Sequence, residues 1–349
     1  MIPAASLGRR PRLLGAIATV PLVAISLLTG CTGGAPSTPP MPATPQQSAQ
    51  VKSKAHQAGA SCPCLYVPNF YGNSVTVYKS GARGDATPLQ DISGEYTDLD
   101  QPAAVTVDAN ARIYVANYAN NSVTIYNAGA NGNITPSQNI IGSYTGLSQP
   151  YGLAIDPLND GILYVANYGN ASITLYSTEA NGNEAPLGII QGSKTGLSEP
   201  QGIALDSADN LYVASYGTNS VTVYAAGSSG NVAPVQTISG SNTGISYPTQ
   251  VAVDSNRNIY VANGGSPSVT VYAAGANGNV SPIQYIYGNK TKMDEIDGIA
   301  LDSSRNMYVS EQAARVLEYA AGASGNVAPL HILQGSKTGL DLPYNTVIR

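Results

Sequence analysis

One tyrosine-bearing phrase recurs six times and limits this chain more than any other feature of its sequence. "LYVPNF", "IYVANY", "LYVANY", "LYVASY", "IYVANG" and "MYVSEQ" carry Tyr66, Tyr114, Tyr164, Tyr212, Tyr260 and Tyr308, spaced 48 residues apart with one interval of 50. The two extra residues fall between Asp156 and Leu163, where the other copies have a tighter turn. A period of this size marks one supersecondary unit that buries its apolar faces by stacking on its neighbours.

Each copy holds four short β-like runs, clearest at residues 200–240: "GIALD", "NLYVAS", "SVTVYAAG" and "APVQTISG". An Asp-to-Asn turn separates the first two, and a Gly-Asn type turn ("ANGN" at 130–133, 180–183 and 276–279) separates the last two. Asn-Gly supplies the positive φ angles of a tight hairpin, so each copy reads as a four-stranded antiparallel sheet. The first two runs are apolar on both faces whereas "SVTVY" alternates, which predicts buried inner strands and half-exposed outer ones. That gradient fits blades packed face to face around an axis, an all-β six-bladed β-propeller.

The chain ends in "LPYNTVIR", after the first strand of a seventh copy, while the N-terminal copy, starting at Leu65, lacks its inner strand. Residues Tyr344–Ile348 are therefore expected to complete the first blade and close the ring, with Arg349 where other copies have Asp. Closure removes the open sheet edge. The pattern P-x-G-I-A-x-D-x-x-x-N-x-Y-V-A-N with recurring V-T-V-Y resembles NHL-repeat six-bladed propellers, over residues 64–349. The resemblance implies an extracellular sensor or binding module, and related six-bladed propellers include gluconolactonase-type hydrolases; it bears on fold more than on activity.

The N-terminus reads as an export signal. Arg9, Arg10 and Arg12 precede an apolar stretch from Leu13 to Thr29, and Leu28-Thr29-Gly30-Cys31 resembles a bacterial lipobox, in which Cys31 would take the lipid. The expected organisation is a signal peptide over residues 1–30, a tether over 31–61, and a propeller over 62–349. The tether is rich in Pro, Ser, Thr, Ala, Gln and Gly, too poor in apolar side chains to offset its ordering entropy. Flexible-chain scaling gives it a reach of about 30 Å. A plain signal peptide and a retained membrane helix are the other readings of this segment; the lipoprotein reading leads to the expectation of a domain at the cell envelope, lipid-anchored on the extracytoplasmic side of a membrane. Cys62 and Cys64 in "SCPCLY" read as a local disulfide or two thiols, since one Cys-x-Cys without a second pair is weak evidence for metal.

Only 11% of residues are charged, and the aromatic supply is 23 Tyr, one Phe and no Trp. Net charge is −5; without the three arginines of residues 1–30, 16 − 3 = 13 basic residues face 21 acidic ones, or −8. With no basic stripe, nucleic acid is not an expected partner.

In a propeller the loops after the second strand and before the first open on one face. Asn69, Asn117, Asn167, Ser215, Asn263 and Glu311 should ring the channel mouth, followed outward by Phe70, Tyr118, Tyr168, Tyr216, Gly264 and Gln312. Ala103, Tyr151, Gln201, Thr249, Asp297 and Tyr344 should complete it. Asn, Gln and Tyr around a pocket suit a sugar-like, peptide or protein ligand. The asparagines equally suit capping of loop backbone. In the last copy Glu311 replaces Asn, and Asp297 follows Asp294 and Glu295. Such carboxylates suit a hard cation such as Ca²⁺; the set resembles the acid-and-Asn metal ring of gluconolactonase-type propellers in residue type only, and a solvated acidic loop beside Lys290 and Lys292 is the other reading. No catalytic residue is assigned. His56 lies in the tether and His331 in an outermost strand, and the repeated Asp108, Asp156, Asp206, Asp254 and Asp302 suit turns on the opposite face.

Overall fold

The computed structural model describes residues 63–156 and 161–349. They form six four-stranded antiparallel sheets. Blade 2 is typical: an inner strand Pro102–Val107, a second strand Ile113–Asn117, a third strand Ser122–Tyr126 and an outer strand Gln138–Ile141. Among the described residues no helix is long and apolar enough to cross a membrane. Cys31, Cys62 and the tether lie outside the described residues, as does most of the turn carrying the two-residue insertion.

Ring closure follows the expectation, with a shorter ladder. Blade 1 is built from Cys64–Asn69, Ser74–Lys79 and Gln90–Ser93, and Val347–Ile348 supplies its inner strand. Leu65 pairs with Ile348 and Tyr66 with Val347. Cys64 and Arg349 exchange two backbone hydrogen bonds of 2.6 and 3.0 Å, and Tyr344 N–H donates to the Pro68 carbonyl at 3.1 Å. Between these contacts the chain leaves the ladder, because Asn345 N–H donates to the Ala103 carbonyl of blade 2 instead, at 3.2 Å.

Apolar packing sits between blades. Six clusters fill the six seams: Val115 and Ile113 of blade 2 meet Val75 and Ile92 of blade 1, and at the closing seam Leu65, Val67 and Tyr78 meet Ala300, Tyr308 and Val316 of blade 6. The third strands differ from expectation. Their alternating Ser and Thr are as buried as their Val and Ile, with Ser122 and Thr124 at 0% exposure. In blade 2 these hydroxyls are met by internal hydrogen bonding from Asn117, and it is the short fourth strand that is half exposed.

Each third strand ends in a fully buried tyrosine whose hydroxyl donates to the carbonyl of a loop threonine preceding that blade: Tyr224 to Thr195 at 2.5 Å and Tyr272 to Thr243 at 2.6 Å, with Tyr126, Tyr176 and Tyr319 likewise on Thr97, Thr145 and Thr291. The loop's glycine is required there. Gly94 has φ 122°, and an added Cβ would stand 2.5 Å from Asn133 of the next blade. That Asn accepts the Tyr96 N–H at 2.8 Å, and Asn183, Asn231, Asn279 and Asn326 repeat the latch. The hairpin of each blade also bridges in parallel to the previous blade's outer strand, as Gly132 does to Ile92, so every outer edge is covered.

Deleting residues 342–349 removes the closing strand and its seam contacts. The shortened protein is expected to lose about 10 °C or more of Tm, since ~1 kcal/mol corresponds to roughly 2–4 °C in a domain of this size, and to elute at a larger hydrodynamic radius. Unchanged melting and elution would refute closure by this strand.

Candidate functional site

The inner strands of blades 2 to 5 start at proline, where a missing N–H costs no ladder bond (Pro102, Pro150, Pro200 and Pro248), and Pro343 holds the equivalent place ahead of the closing strand. One residue later the pairing with the second strand shifts register in blades 2 to 6. A bulge of this kind re-aims a side chain. Here it turns the residue after the proline position toward the axis at one face: Tyr151, Gln201, Thr249 and Asp297, with Tyr344 at the equivalent place in blade 1. The loops after the second strands add Phe70, Tyr118, Tyr168, Tyr216 and Gln312. These ten side chains line a cavity of about 290 Å³. Of the twelve outward and inner positions anticipated for the mouth, Ala103 and Gly264 alone are missing from this lining.

The inner strands close the axis beneath this cavity. A Cβ on Gly152 would lie 2.1 Å from the Gln201 carbonyl oxygen, and one on Gly202 would lie 1.5 Å from Gln250 Oε1. Asn345 also reaches across the axis, its amide donating to the Tyr151 carbonyl at 3.1 Å. The cavity on the other face, about 230 Å³, is lined by inner-strand residues from the far half of the blades, mostly Val, Ile, Leu and Ala. The repeated aspartates near that face make turns: Asp206 Oδ1 accepts the N–H groups of Ala208 and Asn210, and Asp254 and Asp302 do the same in their blades.

The mouth cavity is two-sided. Blades 1 to 3 contribute Phe70, Tyr344, Tyr118, Tyr151 and Tyr168, with Phe70 stacked on Tyr344 at 4.6 Å and Tyr118 edge-on to Tyr151 at 6.0 Å. Blades 4 to 6 contribute Gln201, Thr249, Asp297 and Gln312, with Tyr216 among them. Tyr118, Tyr168 and Tyr216 are partly exposed and Tyr151 is buried. Burial raises the hydroxyl pKa of Tyr151 well above its ordinary value, so it stays a neutral donor and acceptor.

The asparagines have a different role from the one considered for a ligand. Asn69, Asn117, Asn167 and Asn263 are 0% exposed and lie outside the cavity lining. Asn117 Nδ2 donates to Ser122 and Thr124 hydroxyls at 3.1 Å each, and its Oδ1 accepts the Asp100 N–H at 3.2 Å. Asn69 binds Ser74, Thr76 and the Asp341 N–H in the same way, Asn167 binds Ser172, Thr174 and the Ser148 N–H, and Asn263 binds Thr270 and the Ser246 N–H. The amide ties the second strand to the third and to the incoming loop. Both its functions are used internally, leaving nothing for a ligand.

Glu311 is the same pin in ionic form. Its Oε2 accepts the Asp294 N–H at 2.8 Å, and Arg315, standing where other blades have Ser, forms a salt bridge with it and donates to the Lys292 carbonyl at 2.7 Å. Glu311 is 0% exposed, and burial outweighs Arg315 in shifting its carboxyl pKa upward. Glu311 and Asp297, paired in sequence as candidate ligands for Ca²⁺, thus have separate surroundings: Glu311 is held by Arg315 inside the blade, and Asp297 faces the cavity. Among the described residues no group of three or more His, Cys, Asp or Glu side chains converges as metal ligands would.

Asp297 carries the electrostatic anomaly of the mouth. It is 5% exposed, and its Oδ2 has no hydrogen-bond partner. Burial, with Glu295 adding to it and Gln312 opposing, pushes its pKa up to about 7. Gln201, 6% exposed, likewise has an unpartnered Oε1. Composition signals neither; topology alone placed both residues at the mouth.

No protein-family model matches the chain, and no curated protein matches it. Solved structures do. A protein of unknown function from Bacteroides caccae superposes with a TM-score of 0.60 at 14% identity, covering 82% of this chain and 99% of its own. A functionally unknown protein from Desulfotomaculum acetoxidans gives a TM-score of 0.51 at 13% identity, covering 74% and 75%. At these identities the likeness shows the six-bladed propeller fold alone.

The raised pKa of Asp297 makes a signed prediction. A carboxyl whose folded pKa lies above its unfolded value stabilises the fold at low pH, and that contribution is lost as pH rises from about 4 to about 7. Asp297→Asn removes the charge and therefore the loss. It is expected to raise Tm at pH 8 by about 4 °C or more while leaving Tm at pH 4 within a degree or so; equal shifts at both pH values in a thermal scan would contradict a desolvated carboxylate.

Proposed function

We propose that this chain is a non-catalytic binding module, an NHL-like propeller that presents its mouth cavity to a ligand outside the cytoplasm. One observation supports this reading above the others: the mouth is where the molecule departs from its own repeat. The Tyr, Asn, Gly and Thr contacts that hold the blades recur around the ring, as scaffolding should. The mouth positions instead run Phe-Tyr, Tyr-Ala, Tyr-Tyr, Tyr-Gln, Gly-Thr and Gln-Asp from blade 1 to blade 6. Stacking surfaces opposite polar groups in a concave site are the usual composition of a small-ligand pocket, and 290 Å³ suits the head group of a glycan or peptide. Expected partners are an unidentified peptide, protein or glycan and, through lipid, a membrane.

Anchoring belongs to the same proposal. Arg9 to Arg12, the apolar stretch and the Leu28-Thr29-Gly30-Cys31 sequence support export and lipidation at Cys31, with the tether of residues 31–61 holding the propeller at the cell envelope.

Two measurements test these points. In glycan and peptide array screening of the full chain, hits should weaken about ten-fold or more in Tyr118→Ala and Tyr168→Ala, by the loss of ~1–1.5 kcal/mol of ring contact, with Tm nearly unchanged. Hits insensitive to both substitutions would move binding away from the mouth. For the anchor, cells fed labelled palmitate should label the wild type and not Cys31→Ser, which should appear in the soluble fraction; label retained in Cys31→Ser would end the lipoprotein proposal.

A further inference from the structure

Two buried acceptors, one of them an oxygen of the Asp297 carboxylate, share the mouth cavity with a set of aromatic rings. Among the described residues eleven buried side-chain atoms have no hydrogen-bond partner, and Asp297 Oδ2 and Gln201 Oε1 are the two of them whose residues line this cavity. Leaving a buried acceptor unpaired costs about 1–3 kcal/mol each, more for a charged group. Both lack a donor, so the complement of the site is a donor. No Lys or Arg lines the cavity to balance the carboxylate. The same cavity is lined by the rings of Phe70, Tyr118, Tyr151 and Tyr344, which pack against one another. Ring faces attract a cation by about 0.5–2 kcal/mol, most when it is desolvated.

A hydroxyl ligand would satisfy the acceptors and leave the buried charge uncompensated. A protonated amine satisfies both demands, with N–H groups for the two oxygens, a positive charge for Asp297 and an alkyl stem for the rings. We infer that the mouth cavity recognises an alkylammonium head group, from a lysine side chain or a free aliphatic amine, seated between the Asp297 and Gln201 oxygens and the aromatic rings. The inference rests on the mouth being a binding site and names its ligand chemistry.

The carboxylate couples binding to pH. Facing Asp297 are Glu295 and Gln312 of its own blade, Tyr344 of the terminal segment, and Tyr151 and Tyr216 of blades 3 and 4; burial raises the pKa of all three tyrosines, which stay neutral. The ammonium binds the ionised carboxylate, so affinity rises as pH passes the Asp297 pKa of about 7 and levels off above it. The lysine amine stays protonated throughout this range.

Calorimetric titration of the full chain tests the inference with matched probes. Nα-acetyl-lysine amide stands for a peptide side chain and n-butylamine for a free amine; Nα-acetyl-norleucine amide and n-butanol are their neutral counterparts. Nα-acetyl-trimethyllysine amide keeps the charge and lacks the N–H donors, and N-acetylglucosamine is a neutral saccharide. The expected result is binding of either amine at pH 8, at least ten-fold weaker binding of its neutral and trimethylated counterparts, and about ten-fold lower affinity at pH 6, the change in ionised Asp297 across its pKa. Asp297→Asn should lose ten-fold or more in amine affinity without a lower Tm at pH 8. The stronger of the two amine probes identifies the source. Amine binding that ignores Asp297→Asn or pH overturns the ammonium assignment. Saccharide binding sensitive to Tyr118→Ala, with amines inert, overturns it too and leaves the binding-module reading standing. No heat from any probe, together with blank arrays, overturns both.

Discussion

Closure of the ring by non-covalent contacts between the two ends of the propeller sequence is the constraint on which the other features depend. Five seams join blades consecutive in sequence; the sixth joins residues some 250 apart. What makes it a sixth seam and not a slit is that it repeats the devices of the other five. Tyr78 donates to the Thr338 carbonyl as the other third-strand tyrosines do to theirs. Gly84 bridges Leu333 in parallel, and Asp85, where other blades have Asn, accepts the Lys337 N–H at 2.6 Å. The short ladder of Val347–Ile348 is thus one contact of several, spread from axis to rim, and the Thr346 hydroxyl adds a bond to the Tyr66 carbonyl at 2.5 Å.

That distribution explains why the scaffold was legible from sequence. A contact made six times leaves six copies of its residues, and the period, strand count and missing inner strand all follow from aligning the copies. The residues of the mouth were legible for a different reason. Propeller topology sends the position after the second strand and the position before the inner strand to one face, whatever occupies them. Ten of the twelve such residues line the cavity, and the two that do not, Ala103 and Gly264, are the two smallest.

Side-chain direction was harder to read. Asn117 and Tyr118 are neighbours, yet one points into the blade and the other over the mouth, because successive residues of a strand face opposite ways. The alternation of "SVTVY" suggested water on one side, when the Ser and Thr were there to receive the buried Asn amide. Glu311 read alone suggests a ligand; read with Arg315 four residues on, it is a paired substitution of the Asn–Ser contact by an ion pair. The Asn of a second strand finds Ser and Thr partners on the third strand of its own blade, and only the pairing register shows which.

Asp297 differs because its blade gives it no comparable partner. Blade 6 contains two unusual carboxylates, and the fold treats them oppositely: Glu311 receives a guanidinium and a backbone N–H, whereas Asp297 is desolvated with one oxygen unanswered. The scaffold demonstrably has the means to pair a buried acid a few ångströms along the same strand pair, since Ile296 lies directly opposite Glu311. A destabilising group kept beside a well-compensated one is not explained by packing. The proposed ammonium ligand would be the missing partner, supplied from outside to a cavity that Asp297 shares with Gln201 and with the rings of blades 1 to 3.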